Sequence, residues 1–493
     1  MRPINETSQP IDLLLSVRRD DPRTLGAQIE DQLRTSIRNG SLRPDGQIPS
    51  TRDLSRQLGV SRRVVVDAYA QLAAEGYLSL RQGARPRVSD STSTVRPHPG
   101  EVVRAQAAPR FDFRPSVPDV SGFPRRAWLR SLRHALATAV DADLGYGDPR
   151  GVTALRVALA DYLGRVRGVV AEPERVVITN GYTQSLGLVC RALAAAGCER
   201  IGYEDPSNPE DRHIAHRAGL APVPITVDDA GARVDELQRA SVDAVVVTPA
   251  HQHPTGVVMT GERRAALLAW LRERPAIAIE DDYDAEYRYD RAAIGALQGL
   301  DPDRVIYAGS ASKTLAPALR LGWLVVPSRL VTAVCDEKLL ADRGTARIEQ
   351  HAFADFLARG ELDRHLRRMR ARYRARRDAL IDGLADSLPE ATIRGVAAGL
   401  HLTVCLPDTD DEQAIREQAE RRRIAIETMS DFSSEGLAHT PTLMLGYAQM
   451  KEPAIRAGVR ALSDAVQAAR IRDPTGQQRS DVVAGRDPVG VHL

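Results

Sequence analysis

Residues 304–327 read RVIYAGSASKTLAPALRLGWLVVP. An apolar run, RVIYAG, stops at a turn of small residues that carries Ser310, Ser312 and Lys313; Arg320 follows, and a second apolar run, GWLVVP, opens at Gly322. Short apolar runs bounded by turn residues are the pattern of buried strands, so a lysine and an arginine are presented where a strand ends. Lysine is scarce in this chain. Lys313, Lys338 and Lys451 are the only three in 493 residues, and nearly all of the 67 basic residues are therefore arginine. Any lysine chemistry has three candidates.

Outward from this stretch the pattern repeats. VVIT at 176–179, RIGYE at 200–204, DAVVVTP at 243–249 and AIAIED at 276–281 are strand-like, with helical patterns between them. Such alternation implies an α/β fold with a mainly parallel sheet covered on both faces. Ligands of these sheets bind beyond the carboxyl ends of the strands. At those ends stand Asn180-Gly-Tyr-Thr-Gln184, a turn into a helix whose free N–H groups suit a phosphate; Ala250–Gly256, with His253; and Asp281, Asp282 and Tyr283. A lysine amine, a carboxylate, an anion-binding helix start and an arginine are what pyridoxal phosphate requires: a Schiff-base amine, a partner for the protonated ring nitrogen, and a phosphate site. An Arg-rich helix, from about Leu362 to Leu380, leads into a smaller α+β unit that ends near Ala469. Its run Arg364–Arg377 reads as a solvated basic face in preference to a second DNA contact.

The first ninety residues are different. Leu25, Ile29, Leu33 and Ile37 share one helical face, a short second helix spans Asp53–Leu58, and a third starts at Ser61 and runs to Gly76. Tyr77–Leu80, a Gly83 turn and Arg85–Val88 make a hairpin. This is a winged helix-turn-helix. Arg62 and Arg63 lie in the first turn of its recognition helix, where side chains reach groove edges or phosphates, Arg52 stands just before the second helix, and the hairpin adds Arg81, Arg85 and Arg87. Tyr69 and Tyr77 read as core packing. Residues 91–110 have the composition of an extended linker, and 471–493 that of a disordered tail. The expected organisation is thus a DNA-binding domain at 12–90, a linker at 91–110, a large domain at 111–470 and a tail at 471–493.

Composition narrows the class. With 43% hydrophobic and 27% charged residues, no apolar run of bilayer length and no signal-peptide core, the expectation is a cytoplasmic protein without a membrane partner. Cys190, Cys198, Cys335 and Cys405 show no zinc-ligand or redox spacing and are expected as buried free thiols, and His213, His216 and His251 show no metal-ligand spacing.

The run LRPDGQIPSTRDLSRQLGVSRRVVVDAYAQLAAEGYLSLRQG, residues 42–83, resembles the GntR-type DNA-binding domain, departing from it at the wing tip, where Gly83-Ala-Arg-Pro-Arg-Val88 stands in place of GSGTFV. The runs YGDPRGVTALRVALADYL (146–163), TPAHQHPTGVV (248–258), EDDYDAEYRYD (280–290) and YAGSASKTLAPALRLGWLVVP (307–327) resemble fold-type I aminotransferases, and specifically the aminotransferase-like domain of MocR-type regulators. The resemblance implies pyridoxal phosphate as cofactor, with Lys313 as its Schiff-base lysine, Asp281 at the ring nitrogen and Tyr283 at the phenolic oxygen. Ser310, Ser312, Arg320, Gly181, Tyr182 and Thr183 would hold the phosphate, and Tyr146 would reach the phosphate of a partner subunit in a homodimer. It also implies a double-stranded DNA operator read through Arg52, Ser61, Arg62, Arg63, Arg81, Arg85 and Arg87.

Three positions depart from the aminotransferase pattern. Asn208 stands where those enzymes stack an aromatic on the cofactor ring. His253 replaces the asparagine before Pro-Thr-Gly, and keeps a group able to donate a hydrogen bond to the phenolic oxygen. Met444 occupies the position of the arginine that clamps the substrate carboxylate, and a thioether cannot imitate that bidentate contact; Arg212, Arg217 and Arg343 are the possible substitutes. The expectation is a transcriptional regulator, not a working enzyme. Its sensor domain would respond to pyridoxal phosphate itself, as in regulators of vitamin B6 synthesis, or to an amine or amino-acid effector. An active aminotransferase with a DNA-binding appendage, and a dimerisation scaffold with a dead site, are the alternatives.

Overall fold

The computed structural model describes residues 14–90, 108–289, 294–434 and 439–471. Most of the expected linker and nearly all of the expected tail lie outside them. The described residues fall into two compact units, one before and one after the linker segment, and no helix among them is long and apolar enough to cross a membrane.

In the first unit, helices α1 (Leu25–Arg38), α2 (Thr51–Leu58) and α3 (Arg62–Ala74) pack around Ile29, Leu33, Ile37, Leu54, Val65, Ala68, Tyr69 and Leu72. Thr24 and Ser50 start α1 and α2 by accepting backbone N–H bonds from Ala27 and Asp53 at 3.2 Å each. Gly59, at φ 63°, ends α2 in the left-handed conformation that a side chain resists, so the chain turns sharply into α3. Strands β1 (Leu78–Ser79) and β2 (Arg87–Val88) pair antiparallel as the wing, and Gly46 and Ile48 bond to Val88 and Pro86 along its other edge. Tyr69 is buried with its hydroxyl on the Pro49 carbonyl at 2.9 Å. Tyr77 is only half-buried and accepts a bond from Arg38 at 2.9 Å.

In the second unit, strands β3 (Val176–Thr179), β4 (Arg200–Asp205), β5 (Ala221–Asp228), β6 (Gly231–Ala232), β7 (Ala244–Val247), β8 (Ile277–Asp282), β9 (Val305–Ser310) and β10 (Gly322–Val325) form an eight-stranded sheet in the order β3-β10-β9-β8-β7-β4-β5-β6. The run from β9 through β8, β7 and β4 to β5 is parallel; β10 runs against both its neighbours. The expected strands are all present. The pattern did not reveal β5, because Pro222 and Pro224 interrupt APVPITVD, and proline reads as a strand breaker. Residues of these strands are buried on both faces, in one apolar cluster built on Leu186, Val189, Ile279 and Leu324 and another on Leu237, Val245, Leu267 and Ala278.

Helix α4 (Tyr182–Ala195) follows β3 and α5 (Pro209–Arg217) follows β4; the long α6 (Glu361–Ser387) leads to a four-stranded sheet of β11 (Thr392–Arg394), β12 (His401–Cys405), β13 (Glu427–Thr428) and β14 (Thr442–Gly446) in the order β11-β12-β14-β13. In helix α6 the expected basic face is solvated in part, with Arg364, Arg367, Arg368, Arg372 and Arg374 exposed, and in part bonded to its neighbours. Arg370 and Arg374 bond the carbonyls of Glu286 and Tyr289 at 2.6 Å, and Arg372 and Arg376 reach Asp119 at 2.9 and 3.0 Å. These arginines buckle the helix to the loops beside it. Cys190 and Cys405 are buried free thiols, whereas Cys198 and Cys335 are only half-buried.

Candidate functional site

The carboxyl ends of β3, β4, β7, β8 and β9 and the edge of the small sheet enclose a cavity of about 320 Å³. Into it the sequence brings Ser310 at the end of β9, then Ser312 and Lys313 in the turn beyond; Asp281 and Tyr283 from β8; Tyr182 and Thr183 from the start of α4; His253 beyond β7; and Arg320. Gly181 sits beneath them. At φ 97° it holds a conformation open to glycine, and a Cβ there would stand 3.1 Å from the Arg320 guanidinium. Arg320, itself at φ 48°, donates to the carbonyl of Asn180, so glycine, arginine and helix start form one small cradle.

The electrostatics follow from burial. Lys313 donates to the Ser116 carbonyl, and burial lowers its pKa while Asp284, Asp281 and Glu427 pull it back up. Asp281 is pushed well above the usual carboxylate range by burial and by the charges of Asp211, Asp282 and Asp284. Behind it Asp282 is locked to Arg167 at 2.7 Å, both side chains 1% exposed, and accepts the Tyr307 hydroxyl at 2.6 Å, which fixes the strand end that carries Asp281. Tyr283 meets Nδ1 of His251 at 3.0 Å, and that nitrogen lies 3.1 Å from Asp284. His253 is packed edge-on against Tyr283 and Phe432, is held well below its ordinary pKa by burial and by His401 and Lys313, and leaves Nδ1 without a partner.

The departures have physical reasons. Asn208 lines the cavity but its side chain caps α5, accepting the Glu210 N–H at 3.2 Å ahead of Pro209, a combination that favours a helix start over a stacking ring. Met444 is fully buried against Met429 and Phe432 and does not line the cavity. Of the three arginines offered in its place, Arg212 lies over the Tyr203 ring and 3.9 Å from Asp205, Arg217 is exposed at the end of α5, and Arg343 lies over Tyr146 at 5.7 Å. None lines the cavity. Tyr146 is 87% exposed and also stands outside it. The Tyr182 hydroxyl is engaged by Asp211 at 3.1 Å on the same wall, leaving the start of α4 to present backbone N–H groups.

Sequence reasoning passed over several wall residues: Ser116, Ser207, Asp211, Thr248, Glu427 and Phe432. Asp211, half-buried, is pushed up to about 7, as is the fully buried Glu204, which accepts bonds from Thr248 and Gln252. Ser207 and Asp211 follow a strand end by a few residues and were findable by that rule. Glu427 comes from a two-residue strand of the small sheet and Phe432 from the turn after it, and such short elements carry no such signal.

In the first unit, Arg52, Ser61, Arg62, Arg63, Arg81, Arg85 and Arg87 are all exposed. Ser61 stands at the start of α3 with its hydroxyl making no cap hydrogen bond. Arg63 lies 3.8 Å from Asp67 along the helix, and Arg87 bonds the Asp45 carbonyl at 2.8 Å, bracing the wing. Among the described residues no cluster of metal-ligating side chains is present.

A winged helix joined in one chain to an aminotransferase-like sheet with its strand-end cavity defines a DNA-binding regulator built on an enzyme fold. Residues 25–88 match the bacterial regulatory proteins of the gntR family and residues 119–462 match aminotransferase class I and II. The pyridoxine biosynthesis transcriptional regulator PdxR of Corynebacterium glutamicum is 32% identical over 92% of this chain and 99% of its own, and the probable rhizopine catabolism regulatory protein MocR of Rhizobium meliloti is 32% identical over 92% and 96%. Among solved structures, the multiple substrate aminotransferase of Thermococcus profundus superposes with a TM-score of 0.68 at 26% identity, over 74% of this chain and 93% of that one. The chain belongs to the MocR-type transcriptional regulators of the GntR superfamily. Its large unit has the fold of the pyridoxal phosphate-dependent aminotransferases, and its small unit is a DNA-binding domain.

Proposed function

We propose that this regulator holds pyridoxal phosphate in the strand-end cavity and that occupancy of the cavity sets how a homodimer binds its operator. The observation that carries the reading is the fit of the residues to the group. A half-buried amine with a lowered pKa, Lys313, shares one cavity with the carboxyl of Asp281 and with the anion cradle of Gly181, the start of α4 and Arg320. When bound, the cofactor supplies an aldehyde that a neutral amine captures and a ring that absorbs visible light. Lys313 serves as that amine, and its lowered pKa keeps it deprotonated closer to neutral pH. Asp281 would pair with the ring nitrogen, Tyr283 and His253 would bond the phenolic oxygen, and Ser310, Ser312, Arg320 and the N–H groups of Gly181, Tyr182 and Thr183 would hold the phosphate. Tyr146, exposed beside Arg343, completes the phosphate site of the second subunit.

The ligand sensed is the cofactor itself or a small molecule that joins it. One relative is named for pyridoxine biosynthesis, which supports control of vitamin B6 synthesis, and another for rhizopine catabolism. Their names share no effector, so the effector is read from the cavity. Turnover as an aminotransferase is not favoured, because Met444 is buried away from the cavity and no arginine but Arg320 lines it. Titrating the purified chain with pyridoxal phosphate should raise a visible band that borohydride fixes on Lys313. A colourless chain that still binds its operator would favour the scaffold alternative.

A further inference from the structure

The walls of the cavity carry Glu204, Glu210, Asp211, Asp281 and Glu427 against two cations, Lys313 and Arg320. Both cations have assigned tasks in the reading above, Lys313 at the cofactor's aldehyde and Arg320 at its phosphate. Asp281 is likewise assigned to the ring nitrogen, and Glu204 and Asp211 are bonded to Thr248 and Tyr182. Glu210 stands exposed to water in the first turn of α5, and Glu427 is left over. It is half-buried at the edge of the small sheet, opposite Met444 in the ladder of β13 and β14, and among the described residues no donor or cation is bonded to it. The two arginines whose charges reach it are already paired, Arg114 with Asp112 and Arg416 with Asp431, at 2.6 Å each.

A second and independent observation lies on the same cavity. Ser207 is nine-tenths buried and lines it, and its hydroxyl has no hydrogen-bond partner. Its backbone N–H bonds the Phe432 carbonyl at 3.0 Å, which ties this wall to the segment just beyond Glu427. An unpaired carboxylate and an unsatisfied hydroxyl offer acceptors to a ligand with several N–H donors and none of its own to accept, which is the inventory of an ammonium group. A carboxylate placed there would meet Glu427 as a like charge in a poorly solvated site, where repulsion is strong.

We propose that the effector joining the cofactor in this cavity is a small cationic amine without a carboxylate, its ammonium group held by Glu427 and Ser207. The inference rests on the cofactor reading only for the tasks given to Lys313 and Arg320. Burial and the neighbouring Asp431 raise the Glu427 pKa, against the opposing pull of Arg114 and Arg416. The effector class is therefore decided by a residue of the small sheet, not by the aminotransferase signature residues.

The matched pair 1,4-diaminobutane and 4-aminobutanoate tests this, since both have four carbons and they differ in the charge at one end. Calorimetry on the full chain, with and without added pyridoxal phosphate, should show the diamine binding about tenfold more tightly or better, a difference of about 1.4 kcal/mol. Glu427→Gln, which keeps the shape of the side chain, should erase the preference, and Glu427→Arg should reverse it. Equal affinities, a preference of the wild-type chain for 4-aminobutanoate, or a diamine preference that survives Glu427→Gln would each overturn the proposal. A chain that never gains a visible band yet prefers the diamine refutes the cofactor reading and upholds the amine site. A chain that gains the band and shows no preference does the reverse.

Discussion

The two units present their functional side chains in opposite ways. In the winged helix Arg52, Arg62, Arg63, Arg81, Arg85 and Arg87 stand exposed on a small apolar core, which Arg87 helps to brace at the wing and Arg34 ties through Glu75. In the aminotransferase-like unit Lys313, Asp281, His253, Glu204 and Asp211 are enclosed, and each has its pKa driven from its ordinary value by that enclosure. A polyanion is recognised by number and spacing of charges in water, so its binding is salt-dependent and tolerant of single losses. A small ligand is recognised by groups whose charge is unstable without it. The first unit should therefore lose affinity by degrees when its charges are removed, and the second should lose function outright or change its stability.

The sharpest break is expected at Lys313. Lys313→Ala should remove the visible band completely, and an unchanged spectrum would move the reactive amine to Lys338 or Lys451. In the other unit, replacing both Arg62 and Arg63 by Ala should weaken operator binding by roughly tenfold or more and make its salt dependence shallower by up to about 2 in slope, read from binding isotherms at several salt concentrations. An unaltered slope would deny these residues a phosphate contact.

Support beneath the cavity comes next. Arg167→Met leaves Asp282 buried without its cation and should cost about 3–5 kcal/mol in urea unfolding, because a broken buried pair strands a charge. A comparable loss on changing an exposed arginine such as Arg62 would erase the contrast between the units. The smallest effect concerns pH. Glu204 is raised from 4.5 to about 7, so the folded chain holds a proton there that the unfolded chain releases above pH 4.5. Stability from that proton is present below pH 4.5 and lost as pH rises through 7. Glu204→Gln, which cannot ionise, should thus gain on the wild-type chain by roughly 1–3 kcal/mol between pH 5 and 8 in thermal or urea unfolding. A difference constant across that range would contradict the assignment.

The same contrast explains what could be read in advance. Helices α1 and α3 show themselves through Ile29, Leu33 and Ile37 and through Val65, Ala68 and Leu72, because a helix with one wet face must space its apolar residues. The parallel strands show themselves as unbroken apolar runs, and the residues just beyond them, Lys313, Asp281 and Tyr283, were legible because the topology of such sheets places ligands there. Glu427, Phe432 and Ser116 were not legible, since they enter the cavity from short elements whose positions depend on tertiary packing. The uses of Asn208 and of Arg370 and Arg374 in α6 were not legible for a related reason. A local rule sees a missing aromatic or a basic stripe, and only the folded chain shows the helix start or the carbonyl that uses it.

The near-absence of lysine has a chemical consequence. Lys338 is fully enclosed and tied to Asp342 at 2.9 Å and Thr345 at 3.0 Å, and Lys451 alone of the remaining two lies exposed outside the cavity. Guanidinium groups do not condense with simple aldehydes under mild conditions as amines do, so a chain that makes its ion pairs with arginine offers a reactive aldehyde few wrong side chains to modify. The arginine that buckles α6 and braces the wing also protects the surface from stray adducts, and leaves Lys313 with little competition for an electrophile that would otherwise label a protein at random.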